Sequence, residues 1–142
     1  MIKFWSTSGK YGAFSNFYSS PIFLDNKWWK TTEHYYQAQK TTNEAKQNEI
    51  SLARNAKIAK QIATECELRE DWEDIKYNVM KKALFAKFTQ HTSLKNLLIS
   101  TGDEAIGEDS PYDYIWGLGK NGSGQNLLGK ALEEIREQIK SI

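Results

Sequence analysis

The chain has 142 residues, of which 39% are hydrophobic, 13% are aromatic and 26% are charged. This composition predicts one folded domain over residues 1–142 and excludes an intrinsically disordered chain. The formal charge of +1, from 19 basic and 18 acidic residues, disfavours binding along a nucleic-acid backbone, because proteins that do so usually carry a basic excess. A local basic pocket is compatible with this charge.

Cysteine usage and hydropathy indicate a cytoplasmic protein. Cys66 is the only cysteine, whereas small secreted domains normally have several that form disulfides. The first residues, MIKFWSTSGKYG, lack the apolar stretch of a signal peptide. No segment has the length and hydrophobicity of a membrane span. We therefore expect a cytoplasmic location and no membrane partner.

The residues before position 31 predict a small N-terminal β element. Residues 3–5 and 21–24 have an extended pattern. Asp25-Asn26 predicts a turn into a further extended segment, residues 27–30.

Helical periodicity dominates after residue 31. The predicted helices cover residues 33–40, 43–51, 52–63, 72–91, 92–100 and 126–140. Thr31 or Thr32 is the predicted N-cap of the first helix, and Asp71 that of the longest. The predicted fold is mainly α, α+β at most: a compact helical domain with a small N-terminal β element.

The segment before the last helix contains several glycines. Gly102, Gly107 and Pro111 indicate a long loop. The stretch GLGKNG, residues 117–122, matches G-x-G-x-x-G, but a dinucleotide site also needs a preceding core strand and an acid about 20 residues further on. We interpret the motif as a loop of tight turns and expect no nucleotide cofactor.

The sequence does not predict a metal centre. His34 and His91 are the only histidines, and no Cys/His cluster has zinc spacing. Two interpretations of His34 are open: a hydrogen-bond donor beside Glu33, or a packed histidine whose ring nitrogens are satisfied within the core.

Glu33 and Asp113 are the candidate catalytic acids. Glu33 lies in the first turn of its predicted helix, where simple capping is the alternative role, but aromatic and amide side chains surround it in the sequence TTEHYYQAQK. Residues 33, 36, 37 and 40 share one helical face, so they can form a single wall. Asp113 lies between Pro111 and Trp116, where a turn-forming aspartate is the alternative.

Taken together, these segments resemble the NADAR superfamily, also called YbiA-like. The matching stretches are FSNFY (14–18), TEHYYQAQK (32–40), the Thr101-Gly102 pair, SPYDYIWG (110–117) and the segment from Asn126 to Gly129, with Trp72 and Arg136 between and beyond them. They cover nearly the whole chain in the expected order. The departures are Lys30, Thr41 and Glu133, which leave the substrate open.

This resemblance implies an N-glycosidase that needs neither metal nor cofactor. The implied substrates are small phosphoribosyl or ADP-ribosyl compounds. Members of the family cleave phosphoribose from aminated pyrimidines of the riboflavin pathway, and others remove ADP-ribose from guanine bases of DNA. Both reactions break a C1′–N bond of ribose.

The resemblance also assigns roles to residues. Glu33 and Asp113 are the predicted catalytic acids. Apart from the resemblance, Lys40, Arg54 or Lys57 is the candidate phosphate ligand, and an exposed helical lysine without this role is the alternative for Lys57. The predicted substrate-binding residues are Asn16, Phe17, Tyr36, Lys40, Trp72, Trp116, Gly117 and Asn126.

Two other classes of function stay open from the sequence. The domain could bind an ADP-ribose-like ligand without hydrolysing it, with Glu33 bonded to a ribose hydroxyl. It could instead bind a protein partner, in which case its aromatic residues should form a flat exposed patch and not a concave pocket.

Overall fold

The computed structural model describes residues 1–142, and its chain is mainly helical, as predicted. The helices are α1 (Thr32–Ala38), α2 (Glu44–Leu52), α3 (Ala56–Thr64), α4 (Trp72–Gln90), α5 (Thr92–Ser100) and α6 (Leu127–Lys140). The strands are β1 (Ile2–Phe4), β2 (Ile22–Leu24), β3 (Lys27–Trp29) and β4 (Ile106–Glu108), and Gly12–Phe14 forms a 3-10 turn. None of the helices has the length and hydrophobicity needed to cross a membrane.

Strands β2 and β3 form the predicted hairpin. They pair antiparallel, with Ile22 opposite Trp29. Asp25 and Asn26 in the turn have φ of 54° and 61°, and a two-residue turn with positive φ at both positions matches the twist of paired strands. Asp and Asn tolerate this conformation better than other side chains do, so the turn prediction is confirmed.

Strand β4 was not predicted, because the glycines and the proline of residues 101–125 indicate a loop. It pairs in parallel with β1, placing Ile106 opposite Ile2 and Glu108 opposite Phe4. A strand of three residues that contains Gly107 is too short to show an alternation of apolar and polar residues. Its partner strand lies near the other end of the chain, so no local pattern predicts the pairing. The pairing fixes Glu108 at the end of a strand.

Side-chain caps define where the first three helices begin. Thr31 Oγ1 accepts a hydrogen bond from the backbone N–H of His34 at 3.1 Å, and Asn43 and Asn55 cap α2 and α3 in the same way. The predicted start of the third helix at residue 52 was wrong, because α2 ends at Leu52 and Asn55 caps a separate helix that begins at Ala56.

The longest helix, α4, follows Asp71 as predicted, but Asp71 does not cap it through its side chain. Its carboxylate pairs with Arg69 instead, at 2.6 Å. Met80, Leu84 and Phe88 on the buried side of α4 belong to the core that α4 shares with α6.

The interior contains two apolar clusters with α1 between them. The larger cluster joins α4, α5 and α6 to β1 and β4, and the smaller joins the hairpin to α1, α2 and α3. Tyr36 belongs to the first cluster and its neighbour Tyr35 to the second, and every residue of α1 is buried. The fold therefore holds Glu33 inside the protein.

Candidate active site

A cavity of about 780 Å³ opens beside α1. Small-molecule sites in proteins typically enclose roughly 300–1,000 Å³. The walls come from α1 and the turn after it, from the N-terminal segment, from α3 and from the loop after β4. Elements that are distant in sequence therefore meet around one concave space.

Seven of the ten predicted site residues line this cavity: Asn16, Phe17, Glu33, Tyr36, Lys40, Asp113 and Trp116. Gln37 lines it as well, so residues 33, 36, 37 and 40 form the predicted single wall. The helix ends at Ala38 and not at residue 40 as predicted, so Lys40 extends the wall from the turn after α1. The two predicted catalytic acids share the cavity.

Trp72, Gly117 and Asn126 were predicted to contact the substrate, but none of them lines the cavity. Trp72 is buried behind Tyr36, with ring centroids 5.0 Å apart. Asn126 is buried and bonds to β4: its Nδ2 donates to the Ile106 carbonyl at 2.9 Å, and its Oδ1 accepts from the Glu108 N–H at 3.2 Å. Its contacts support the wall from behind.

Gly117 has a steric role next to the cavity. A Cβ at this position would lie 2.9 Å from the Asp113 carbonyl oxygen and 3.2 Å from Glu108 Oε1. Distances this short require a neighbour to move, so only glycine lets the loop close over the carboxylate of Glu108 without displacing it.

Glu33 is a buried carboxylate with one side-chain partner. Its Oε2 accepts a hydrogen bond from Gln37 Nε2 at 2.7 Å. Burial raises the pKa of Glu33, and the Gln37 hydrogen bond and the charges of Lys60 and Lys40 oppose that shift. The result is a carboxylate suited to accepting a proton inside a cavity.

Asp113 performs the turn-forming role that the sequence left open and also faces the cavity. Its Oδ1 accepts from the backbone N–H groups of Ile115 and Trp116, at 2.9 and 2.8 Å. Its second oxygen, Oδ2, has no hydrogen-bond partner in the protein, and Asp113 lines the cavity. One oxygen therefore holds the loop while the other is available to a ligand.

Two lysines form the basic side of the cavity. Lys40 and Lys60 both line it, and burial lowers the pKa of Lys40 while the charge of Glu33 opposes that shift. Arg54 and Lys57, predicted as phosphate ligands, do not line the cavity. The prediction missed Lys60 because the face of α3 that meets the cavity depends on how α3 packs against α1.

Glu108 was not predicted, although it is the third carboxylate in this cavity. Burial and the charges of Asp113 and Glu33 together raise its pKa to about 7, and the charge of Lys60 opposes this shift. The sequence shows only an acid shortly before the SPYD stretch. Because β4 was not predicted, no pattern indicated that the side chain of this acid faces the interior.

His34 is not part of the site. Its Nδ1 is 2.7 Å from Thr31 Oγ1 and its Nε2 is 3.0 Å from the Ala53 carbonyl oxygen. Both ring nitrogens are therefore satisfied within the core, which is the second of the two interpretations left open above.

A second groove, of about 840 Å³, lies between residues 41–46 and 65–71. Its walls are mostly polar and contain no aromatic ring, and Arg69 within it is already paired with Asp71. The cavity beside α1 combines aromatic walls with convergent carboxylates, and it is therefore the candidate active site.

Known proteins show the same fold and sequence pattern. Residues 3–140 match the NADAR domain. The chain is 45% identical over 141 residues to N-glycosidase YbiA of Shigella boydii serotype 4, covering 98% of this chain and 88% of that protein. It is 36% identical over 140 residues to a riboflavin biosynthesis protein of Vibrio vulnificus, covering 97% of this chain and 38% of that protein.

A solved structure agrees with these matches. The NMR structure of the E. coli protein YbiA superposes with a TM-score of 0.92 at 44% identity, covering 99% of this chain and 84% of that one. The fold, the acid-lined cavity and these relatives define an N-glycosyl hydrolase. The chain belongs to the NADAR domain family.

Proposed function

We propose that the protein hydrolyses the C1′–N bond between a phosphorylated ribose and an aminated pyrimidine. The observation that carries the proposal is that Glu33 and Asp113, from distant parts of the chain, line one cavity together with aromatic side chains and two lysines. The relationship to a protein named for riboflavin biosynthesis supports this class of substrate.

Glu33 is the proposed base. Breaking an N-riboside builds positive charge on C1′ and the ring oxygen, as in the hydrolysis of O-glycosides. A buried carboxylate beside C1′ stabilises that charge and takes a proton from the attacking water. Glu33 meets these requirements because it is only 7% exposed, is oriented by Gln37 and has a raised pKa.

Asp113 is the proposed partner of Glu33. Its Oδ1 is held by two backbone N–H groups, so the position of its free Oδ2 is well defined. In the proposed complex this oxygen accepts a hydrogen bond from a ribose hydroxyl and adds a second negative charge near the developing cation.

The remaining walls match the two ends of such a substrate. Lys40 and Lys60 supply positive charge for the phosphate. Tyr36 and Trp116, whose ring centroids are 5.4 Å apart, form an aromatic corner against which a base can pack. Stacking of a base on an aromatic side chain contributes about 1–3 kcal/mol.

A second candidate substrate is ADP-ribosylated guanine, free or in DNA. The observation that favours it is the exposed pair of rings at the mouth of the cavity, Trp5 and Tyr112, which are 52% and 82% exposed with ring centroids 6.0 Å apart. Such rings offer a stacking surface for a second base outside the cavity, and a flipped guanine needs only a local basic rim.

The test is mass-spectrometric detection of released base and ribose product across a panel of substrates. The panel contains phosphoribosylaminopyrimidines, ADP-ribosylguanosine and ADP-ribosylated DNA. We expect the phosphoribosylaminopyrimidines to be cleaved with the highest kcat/KM. Preference for the ADP-ribosylated substrates would support the second candidate, and no product from any member would reject both.

A further inference from the structure

The carboxyl group of Glu108 has no partner in the protein. Glu33 receives a hydrogen bond from Gln37, and Asp113 receives two from the backbone. Glu108 lines the same cavity, yet its side chain makes no hydrogen bond and no ion pair. Glu108 is only partly buried, so its unpaired carboxyl is accessible from the cavity and is available to bond to a ligand there.

A second unpaired group lines the same space. Gln37 is 2% exposed, and its Oε1 has no hydrogen-bond partner, although its Nε2 is bonded to Glu33. Two residues that line the cavity, Gln37 and Glu108, thus each carry a side-chain oxygen without a hydrogen-bond partner in the protein. A bound substrate that enters the cavity is a partner that fits both residues.

The backbone of Glu108 is held on three sides. Its N–H donates to Asn126 Oδ1 at 3.2 Å, and its carbonyl oxygen accepts from the Leu118 N–H at 2.8 Å. The next residue, Asp109, donates its N–H to the Phe4 carbonyl at 2.7 Å. The absent side chain at Gly117 leaves room for the carboxyl. Catalytic groups require this kind of fixed placement.

We propose that Glu108 is the general acid that protonates the departing base, a role that rests on the N-glycosidase function proposed above. The surroundings of Glu33 and Glu108 indicate which of them accepts a proton and which donates one. Burial raises the pKa of both Glu33 and Glu108. Gln37 donates a hydrogen bond to Glu33 that favours its ionised form, whereas the carboxyl of Glu108 receives no hydrogen bond from the protein. When the surroundings of two carboxyl groups give them different pKa values, the group that stays protonated can act as the acid and the ionised group as the base.

The proposed step balances in atoms and electrons. The C1′–N bond breaks, its electron pair moves to the base nitrogen, and that nitrogen takes the proton of Glu108. A water oxygen forms the new bond to C1′, and one proton of that water passes to Glu33. Solvent exchange then returns a proton to Glu108 and removes one from Glu33, so that one water is consumed and both carboxyls are restored.

The experiment compares Glu108→Gln with Asp109→Asn, which removes an adjacent exposed acid outside the cavity. Two substrates are used: the natural type, a phosphoribosylaminopyrimidine, and 4-nitrophenyl riboside 5-phosphate, whose leaving group departs without a proton. We expect Glu108→Gln to lose about 10²–10⁴-fold in kcat on the first substrate and to keep its rate within a few-fold on the second. Asp109→Asn should match the wild type on both.

The pH profile provides a readout that a structural role would not change. For the natural substrate, kcat of the wild type should fall above about pH 7, where Glu108 loses its proton, and this limb should be absent for the nitrophenyl substrate. Glu108→Asp, which keeps an acid, should retain more activity than Glu108→Gln and serves as the test if the Gln variant does not fold.

The possible failures are distinguishable. Equal losses on both substrates, or wild-type rates of Glu108→Gln on the phosphoribosylaminopyrimidine, would overturn the role of Glu108 while leaving the N-glycosidase proposal intact. A wild-type enzyme that releases no base from any N-riboside would reject the proposed function and this inference with it.

Discussion

Glu33 places a carboxylate in the interior of the protein, on a helix that is buried along its whole length. Burying a charge is costly unless it is paired, and Glu33 has a single amide partner. Two further acids share its cavity, so their charges repel one another. Carboxylates held at such a cost are typical of sites whose chemistry requires them.

The first prediction concerns the two acids identified from the sequence. Glu33→Gln and Asp113→Asn should both fold, because an amide keeps the shape of each side chain. In Asp113→Asn the amide oxygen can still accept the two backbone hydrogen bonds of the loop. Each should lower kcat about 10²-fold or more, measured by release of base from a phosphoribosylaminopyrimidine. Glu67→Gln, at an exposed acid outside the cavity, is the matched control. Wild-type rates in both site variants would reject these assignments.

The second prediction concerns the stability of the free protein. The pKa of Glu108 is raised to about 7 from 4.5, so between these pH values the folded state binds more protons than the unfolded state and the contribution of Glu108 to stability falls as pH rises. Glu108→Gln removes this penalty. It should raise the free energy of unfolding at pH 8 by up to about 3 kcal/mol.

Urea denaturation at pH 4.5 and pH 8 measures this effect, with Asp109→Asn as the control. The gain should be absent at the lower pH. An equal effect of Glu108→Gln at both pH values would contradict the burial of an ionised carboxylate at this position.

Among the elements, the contact between β4 and the start of α6 decides where the third acid lies. Gly129 in the first turn of α6 allows the close approach, since a Cβ there would overlap the Ile106 carbonyl oxygen. Asn126 completes the contact through its bonds to Ile106 and Glu108 and adopts a left-handed conformation with φ of 54°. Asn126 was predicted to contact the substrate, and in the structure its side chain bonds to β4 and does not line the cavity.

The third prediction tests this contact. Asn126→Ala leaves the Ile106 carbonyl and the Glu108 N–H without these partners and places alanine at a positive φ. It should lower the free energy of unfolding by about 2 kcal/mol or more. Asn126→Gly also lacks the amide but accepts the backbone conformation, so it should be less destabilising than the alanine variant. Thermal unfolding of both variants measures the difference, and equal stability with the wild type would show that the contact is not needed.

At the level of the whole molecule, a buried lysine connects α4 to the wall of the site. Lys87 is fully buried, and its Nζ donates to the Ser15 carbonyl at 3.0 Å, next to Asn16 in the cavity wall. The rings of Tyr18 and Phe88 lie 5.8 and 5.4 Å from the same nitrogen. Burial lowers the pKa of Lys87 to about 7.

The fourth prediction follows from that pKa. Between pH 7 and 10.5 the unfolded state holds a proton on Lys87 that the folded state lacks, so the contribution of Lys87 to stability rises with pH over this range. The rise is at most about 5 kcal/mol, at roughly 1.4 kcal/mol per pH unit. Lys87→Met should remove this pH dependence. In urea denaturation, the free energy of unfolding of the wild type should therefore rise relative to that of the variant between pH 7 and pH 9.5.

An exposed lysine without an ion pair, Lys57→Met, is the control for this experiment. A constant difference between wild type and Lys87→Met across the pH range would contradict a lowered pKa of Lys87 in the folded protein.

The features that could be predicted from the sequence are those made by neighbours in the chain. The hairpin turn at Asp25 and Asn26 depends on two residues that tolerate positive φ, and the start of α1 depends on a threonine three positions before the N–H that it caps. The shared wall of residues 33, 36 and 37 follows from helical spacing, and Lys40 continues it from the turn directly after α1. Local hydrogen bonds and steric limits act within a few residues, so a single sequence is enough to predict them.

Long-range packing decided the rest. The pairing of β4 with β1 directed Glu108 into the cavity, and the packing of α3 on α1 brought Lys60 to the site in place of Arg54 and Lys57. Trp72 likewise lies behind Tyr36 because α4 and α1 meet there. These placements depend on contacts between residues far apart in the chain, whose free energy comes from burying surfaces together, and no local pattern records which surfaces meet.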